Sequence, residues 1–572
     1  MRTLAVDVII VELAASWFLI PLLAAFIHAA SELTFNWSLL STTDKVALLV
    51  AIAAALSTAL VGVVFGTFAA GGSDSSCYLI QARLLAAGTP RIEQPLALTA
   101  PWPAAASTFV PAGHVPSQIS PGAIVPICPP GLPLAMAAAR TVHLSEFLVV
   151  PLLGALAVWL TFLIGLRLDG SVTGAAAAVL TACSPIFLFQ LVQPMTDVPA
   201  TAWWLLVLAL ALGGGDPRRG ALLAGLAGSM AVLTRPNLLP LAAIVAISVG
   251  MTALGNDRMP RRARLYHASQ AIGLFLLGLV PGLLLLGSLQ HAMYGSPLAN
   301  GYGRVSELFD IGHVVPNLRR YPQWLFETHT PFLALAVAAP AVMRRATPLG
   351  GTRAWLCLAL AAITFACYLP YQVFAAWWYI RFLLPSIPLL VLLSVVVLVA
   401  GLRRIAPRAH AALVALVVAV LAAWWVHVAR ERFAFTLRDL EHQFVEAGAY
   451  AAERLPERAA VVTVKYSGSV YYYAGRPTVL WDLLDPTWLD PALAYLRERG
   501  YVPYLVLATD EEPVFRKRFG GASVLGGLDW PPIARVGRTV RVYDPADRAR
   551  YFDGETVRTE DVWSTPPRRR RR

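Results

Sequence analysis

Four charged residues, Asp74, Asp197, Arg235 and Arg381, each sit where an apolar run meets a polar connection. Lipid tolerates an ionisable group near a helix mouth only when it is paired or put to use, so such residues are functional candidates. Two carboxylates brought to one pocket divide labour, one taking a proton while the other orients a substrate or a metal. A guanidinium holds phosphate through a planar, two-pronged fork. The chemistry implied is proton transfer beside a bound phosphate. Each residue also has a plainer explanation. Asp74 lies in a Ser-Asp-Ser triplet and Asp197 precedes Val198-Pro199, both suited to capping a helix, and either arginine could snorkel to a lipid interface.

The elements that carry these residues are apolar. Of 572 residues, 57% are apolar and only 14% are charged, whereas soluble domains carry about 25% charged residues. The mean hydropathy of +0.61 agrees. The chain reads as an α-helical polytopic membrane protein. Its formal charge of +12 resides largely in arginines of short connections and in the tail Arg568 to Arg572. Such loops set topology, and no basic helix or aromatic-interleaved patch points to a nucleic-acid partner. None of the five cysteines shows metal-ligand spacing. Cys77 and Cys128 share one polar loop, where an oxidising compartment would let them pair, although spacing does not fix their separation.

About twelve spans are expected. The first, Leu4 to Ala30, contains Asp7 and Glu12; the others lie near 46–70, 144–166, 172–191, 199–213, 220–233, 238–254, 268–290, 329–343, 355–373, 381–401 and 411–429. Thirteen arginines, from Arg167 to Arg408, fall in the connections on one side, against Asp169, Asp216 and Asp257. That side is cytoplasmic by the positive-inside rule. Asp74, Asp197 and the loops 71–131 and 291–328 are then outside. The latter loop offers Tyr294, Tyr302, Arg304, Glu307 and Asp310, and the former offers Tyr78 and His114. Beside Arg381, the run Trp377-Trp378-Tyr379 suits an aromatic belt or a sugar platform.

After a membrane module of residues 1–429, residues 430–560 change character. Short apolar strands (461–464, 479–483, 504–508) alternate with helix-like stretches, and 533–543 reads as closing strands. A small extracytoplasmic α/β domain is expected, followed by a basic tail, 561–572. Tyr471, Tyr472 and Tyr473 suit either sugar stacking or a contact between domains.

The motifs fall in a familiar order. Asp74 is followed by Tyr78, Ala82 and Gly88, and the loop closes on Pro-Pro-Gly-Leu-Pro-Leu from Pro129 to Leu134. Then come Thr-Asp-Val-Pro-Ala (Thr196 to Ala200), Leu-Thr-Arg-Pro-Asn (Leu233 to Asn237) and Tyr-Ile-Arg-Phe-Leu-Leu-Pro (Tyr379 to Pro385). Over residues 46 to 400 the chain resembles the GT-C superfamily of integral-membrane glycosyltransferases, in the bacterial branch related to protein O-mannosyltransferases and the lipid A aminoarabinose transferase. The resemblance implies an inverting transfer of sugar from a polyprenyl-phosphate donor to a glycan, lipid or protein acceptor at the outer face of the cytoplasmic membrane. It implies Asp74 and Asp197 as catalytic, Arg381 and Arg235 as donor-phosphate ligands, and Tyr78, His114, Tyr302 and Tyr379 as substrate contacts. No cofactor is fixed. A divalent cation stays open, because Ser75 stands where many relatives carry a second acid. The rival class is a membrane transporter or flippase of a lipid-linked or small anionic substrate, which would place its polar groups near the bilayer midplane.

Overall fold

A computed structural model describes residues 40–213, 216–254, 260–346 and 348–562. The first expected span, with Asp7 and Glu12, lies outside the described residues, as do Asp257, Arg258 and the arginine tail.

From residue 46 onward every expected apolar run falls on a helix. In chain order these are α1 (Thr42–Phe65), then α2 (Asp74–Ala86) and α3 (Gly131–Thr141) in and after the first polar loop. Next come α4 (Val149–Leu168), α5 (Ser171–Ala182), α6 (Pro185–Leu191), α7 (Asp197–Ala211) and α8 (Pro217–Thr234). They are followed by α9 (Pro240–Leu254), α10 (Arg261–Tyr294), α11 (Val314–His329), α12 (Pro348–Tyr368), α13 (Ile387–Ile405) and α14 (His410–Glu431).

Among the described residues seven helices are long and apolar enough to cross a membrane, or nine if two bent pairs count as one span each. The first of the twelve expected spans lies outside these residues, and the two expected runs not counted fall on helices that are short or open on charge. At 15 residues α7 is short for a perpendicular crossing, and α8 opens on two arginines. The bent pairs have a local cause. Pro185 ends the α5 direction with a 60° turn, and Thr330-Pro331 turns the chain by 109° after α11, because proline cannot extend the preceding hydrogen-bond ladder.

Inside the bundle α7 is buried along nearly its whole length. Its neighbour α8 packs against α10, where the Ser229 hydroxyl donates to the Gly278 and Leu279 carbonyls and accepts from the Gly282 amide. Small residues and such hydroxyls replace the hydrophobic drive that lipid cannot supply between helices.

The first polar loop holds three short strands, β1 (Ile92–Glu93), β2 (His114–Pro116) and β3 (Ala123–Pro126), and beyond α14, α15 (Leu437–Glu453) leads into a six-stranded sheet. Strands β4 (Ala459–Val462), β5 (Thr478–Val479) and β6 (Val502–Ala508) run parallel. Strands β7 (Ala534–Val536) and β8 (Val540–Tyr543) close it antiparallel, and β9 (Glu560–Val562) pairs parallel with β7. Residues 481–483, expected at the end of a strand, form a single 3-10 turn. The sheet extends to Val562, two residues into the expected tail. Its core is shared with the first polar loop: Leu96, Trp102 and Phe109 are buried among Trp481, Tyr495 and Phe515, with the Trp102 ring against both Phe109 and Tyr495.

Candidate active site

Neither acid caps a helix. Asp74 is the first residue of α2 and Asp197 the first of α7, and the residues before them make no side-chain capping bond. Both carboxylates turn to arginines instead. Asp74 Oδ2 accepts from Arg381 Nη2 at 2.9 Å. Asp197 Oδ1 accepts from Arg235 Nη2 at 2.5 Å.

The two pairs differ in environment. Asp197 is fully buried, whereas the Asp74 side chain is 39% exposed. Arg235, the residue after α8, also donates to the Tyr368 hydroxyl at 2.8 Å. Its charge is held from behind by an acid that water does not reach. Arg381 keeps a free edge: its Nε is buried and has no partner among the described residues. Both guanidiniums lie over the Phe382 ring, 5.2 Å from its centre for Arg381 and 5.6 Å for Arg235. A ring face favours cations by its quadrupole.

These groups surround a cavity of about 740 Å³. Asp74, Tyr78, Arg235, Tyr302, Tyr379 and Arg381 all line it, so six residues singled out from the sequence meet in one chamber. Asp197 does not line it; its carboxylate bonds Arg235, which does. The Tyr78 hydroxyl is 3.2 Å from Thr196 Oγ1, which ties α2 to the start of α7.

His114 is elsewhere. It lies in β2 (His114–Pro116) of a small sheet within the first polar loop, 5% exposed and absent from the cavity wall. Burial pushes its imidazole down to about 4, and its Nδ1 faces the Ala112 carbonyl at 3.1 Å. The structure therefore does not bring His114 together with the other expected substrate contacts.

The Pro-Pro-Gly segment has a packing reason. A Cβ on Gly131 would stand 2.4 Å from the Thr234 amide, so only glycine lets α3 start against the end of α8. That contact brings Pro129 and Pro130 to the wall beside Arg235. Cys128, next to them, is disulfide-bonded to Cys77 of α2, their Cα atoms 6.3 Å apart.

The sequence reading does not single out an aromatic wall. Tyr368, Tyr371, Phe374 and Phe382 line the cavity with Tyr379, Phe374 stacking on Tyr379 at 3.8 Å and Tyr368 on Phe382 at 5.0 Å. The signal was there: residues 368–382 hold seven aromatics. From the second loop, Asn300, Tyr302, Leu308 and Phe309 close the other side, while Tyr294 donates to the Pro126 carbonyl at 2.5 Å.

The donor set suits an anion better than a divalent cation. Among the described residues Asp74 is the only acid on the cavity wall, and no group of three His, Cys, Asp or Glu side chains could hold a metal.

The architecture that delivers this site is shared with solved structures of known proteins. The similar solved structures include ArnT from Cupriavidus metallidurans bound to undecaprenyl phosphate (TM-score 0.53, 16% identity, 88% of this chain and 98% of that one) and the same protein in its apo state (TM-score 0.54, 16% identity, 87% and 98%). A third, the archaeal oligosaccharyltransferase AglB from Archaeoglobus fulgidus in complex with an inhibitory peptide and a dolichol-phosphate, is similar at a TM-score of 0.48 and 14% identity, over 85% of this chain and 72% of that one. No family model and no curated protein matches the chain by sequence.

Proposed function

We propose that this chain is an inverting glycosyltransferase that takes a sugar from a polyprenyl-phosphate donor and passes it to a hydroxyl acceptor at the outer face of the cytoplasmic membrane. The observation that carries this reading is Arg381: it bonds Asp74, and the two line one chamber with Arg235 and a wall of aromatics. An acid and a phosphate ligand are thus joined through one guanidinium. That a chain of the same fold is known bound to undecaprenyl phosphate supports the donor class.

In the mechanism Asp74 takes the proton of the acceptor hydroxyl as its oxygen forms a bond to the anomeric carbon. The bond from that carbon to the phosphate oxygen breaks on the opposite face, and polyprenyl phosphate departs with the electron pair. General-base assistance of this kind contributes about 10²–10⁴-fold. Arg381 meets the charge that grows on the departing phosphate, where a preorganised donor in a dry site is worth most. Arg235, braced by Asp197 and Tyr368, adds a fixed positive field behind it. Tyr78, Tyr302, Tyr379 and the aromatic wall offer hydroxyls and ring faces to the sugar.

The reconstituted protein, supplied with radiolabelled polyprenyl-phosphate sugars, is expected to move label from the lipid to a water-soluble or acceptor-bound product. Asp74→Asn is expected to stop this while the protein stays folded and membrane-inserted. Label that crosses the bilayer still attached to its lipid would make the chain a transporter, and wild-type turnover by Asp74→Asn would remove that carboxylate from the mechanism.

A further inference from the structure

The α/β region has no part in the chemistry above, yet it is fastened to the helix that carries Asp74. Its helix α16 (Ser467–Ala474) lies on α2. The approach is so close that a Cβ on Gly468 would stand 2.2 Å from Ser76 Oγ, two residues from Asp74. Around this contact the bonds are specific. Tyr473 Oη accepts from the Ala70 amide at 3.1 Å, just before α2 begins. Ser467 Oγ accepts from the Ala112 amide at 3.0 Å.

At the other end of α2, the Arg83 guanidinium lies 3.4 Å from the centre of the Tyr472 ring and donates to the Tyr472 carbonyl. The Tyr472 hydroxyl donates to Glu146 Oε1 at 2.9 Å. Glu146 also holds Arg140 of α3 at 2.8 Å. One tyrosine from the α/β region therefore links α2, α3 and the start of α4.

We infer that the α/β region is a positioning module for the reaction, with Tyr472 as the positioning residue that fixes α2, and through it the distance from Asp74 to Arg381. This rests on Asp74 acting as the base. A base displaced by even about 1 Å costs on the order of 10²-fold in rate, whereas Arg235, Arg381 and the aromatic wall at 368–382, which hold the donor phosphate and most of the sugar surface, lie off α2 and stay in place. Tyr472 thereby acts on turnover and not on donor affinity.

The test uses the reconstituted full chain and two variants. Tyr472→Ala removes both the ring under Arg83 and the hydroxyl; Tyr472→Phe keeps the ring and loses only the bond to Glu146. For Tyr472→Ala, kcat is expected to fall about 10- to 100-fold with KM for the lipid-linked donor unchanged, and amide hydrogen exchange across residues 74–86 to quicken. Tyr472→Phe is expected to recover most of both. Unchanged exchange in α2, or a loss confined to KM, would overturn the inference, as would a Phe variant as impaired as the Ala one. Hydrogen exchange is read without turnover, so it tests the clamp even if Asp74→Asn proves active and the base assignment fails.

Discussion

At Asp197 the carboxylate has no water to share, and its ion-pair partner is Arg235. Taking both charges out of water is costly, and breaking such a pair by removing one partner costs about 3–5 kcal/mol because the other is left buried and unpaired. Asp197→Ala is therefore expected to lower the unfolding midpoint strongly. Adding Arg235→Met to it is expected to restore much of the loss, which thermal unfolding in detergent would measure as a double-mutant cycle. The Asp74–Arg381 pair is different in kind. It opens to the cavity, it is partly exposed, and salt bridges of that sort add little to stability. Asp74→Asn should leave the midpoint nearly unmoved. That contrast in stability is what an acid that holds a buried cation and an acid open to the cavity should give.

On the scale of elements, the site is a meeting of helix ends: the starts of α2 and α7, the ends of α8, α10 and α12, and the turns before α13. No single element carries it. The Cys77–Cys128 disulfide joins α2 to the loop that passes Pro129 and Pro130 along the cavity wall. It closes a loop of 51 residues, and cross-links of this size restrict the unfolded chain by a few kcal/mol. Cys77→Ser with Cys128→Ser is expected to lower both kcat and the unfolding midpoint. Treatment of the wild type with a membrane-permeant reductant should reproduce the loss, and reoxidation should reverse it; an equal rate with and without reductant would show that the cross-link does not serve the site.

For the molecule as a whole, the polar loop and the α/β region form one body. Leu96, Trp102 and Phe109 complete a core that residues 430–562 do not fill alone, so that segment expressed by itself is expected to be poorly soluble. The same interface carries a titratable group. Glu441 of α15 faces Gly71, with the Lys465 ammonium nearby, and burial pushes its carboxyl up to about 7 despite that cation. A raised carboxyl favours folding in its protonated form. Its contribution is fully present below about 4.5, the ordinary glutamate value, and is lost as the pH rises towards 7. Glu441→Gln is expected to flatten the stability profile between those values and to raise the midpoint at pH 8 relative to wild type. A profile parallel to wild type would assign the titration elsewhere.

Much of this was written in the sequence. The apolar runs dictate helices because a chain in lipid must satisfy its own backbone; the four charged residues stand out because such groups are expensive there. Strand alternation in residues 459–543 foretells a sheet. What residue types at a spacing do not encode is which charge meets which. Asp74 and Arg381 are 307 positions apart, and their pairing depends on how the intervening helices pack. His114 and Asp197 have the right types for substrate contact, but folding buries the first in a loop core and the second behind an arginine. Only Trp377, Trp378 and Tyr379 read as a membrane belt, and nothing in the order of residues marks Tyr368, Tyr371, Phe374 and Phe382 as a wall until packing turns them inward. Tertiary structure alone decided these matters, because facing direction is set by packing between elements and not by the order of residues within them.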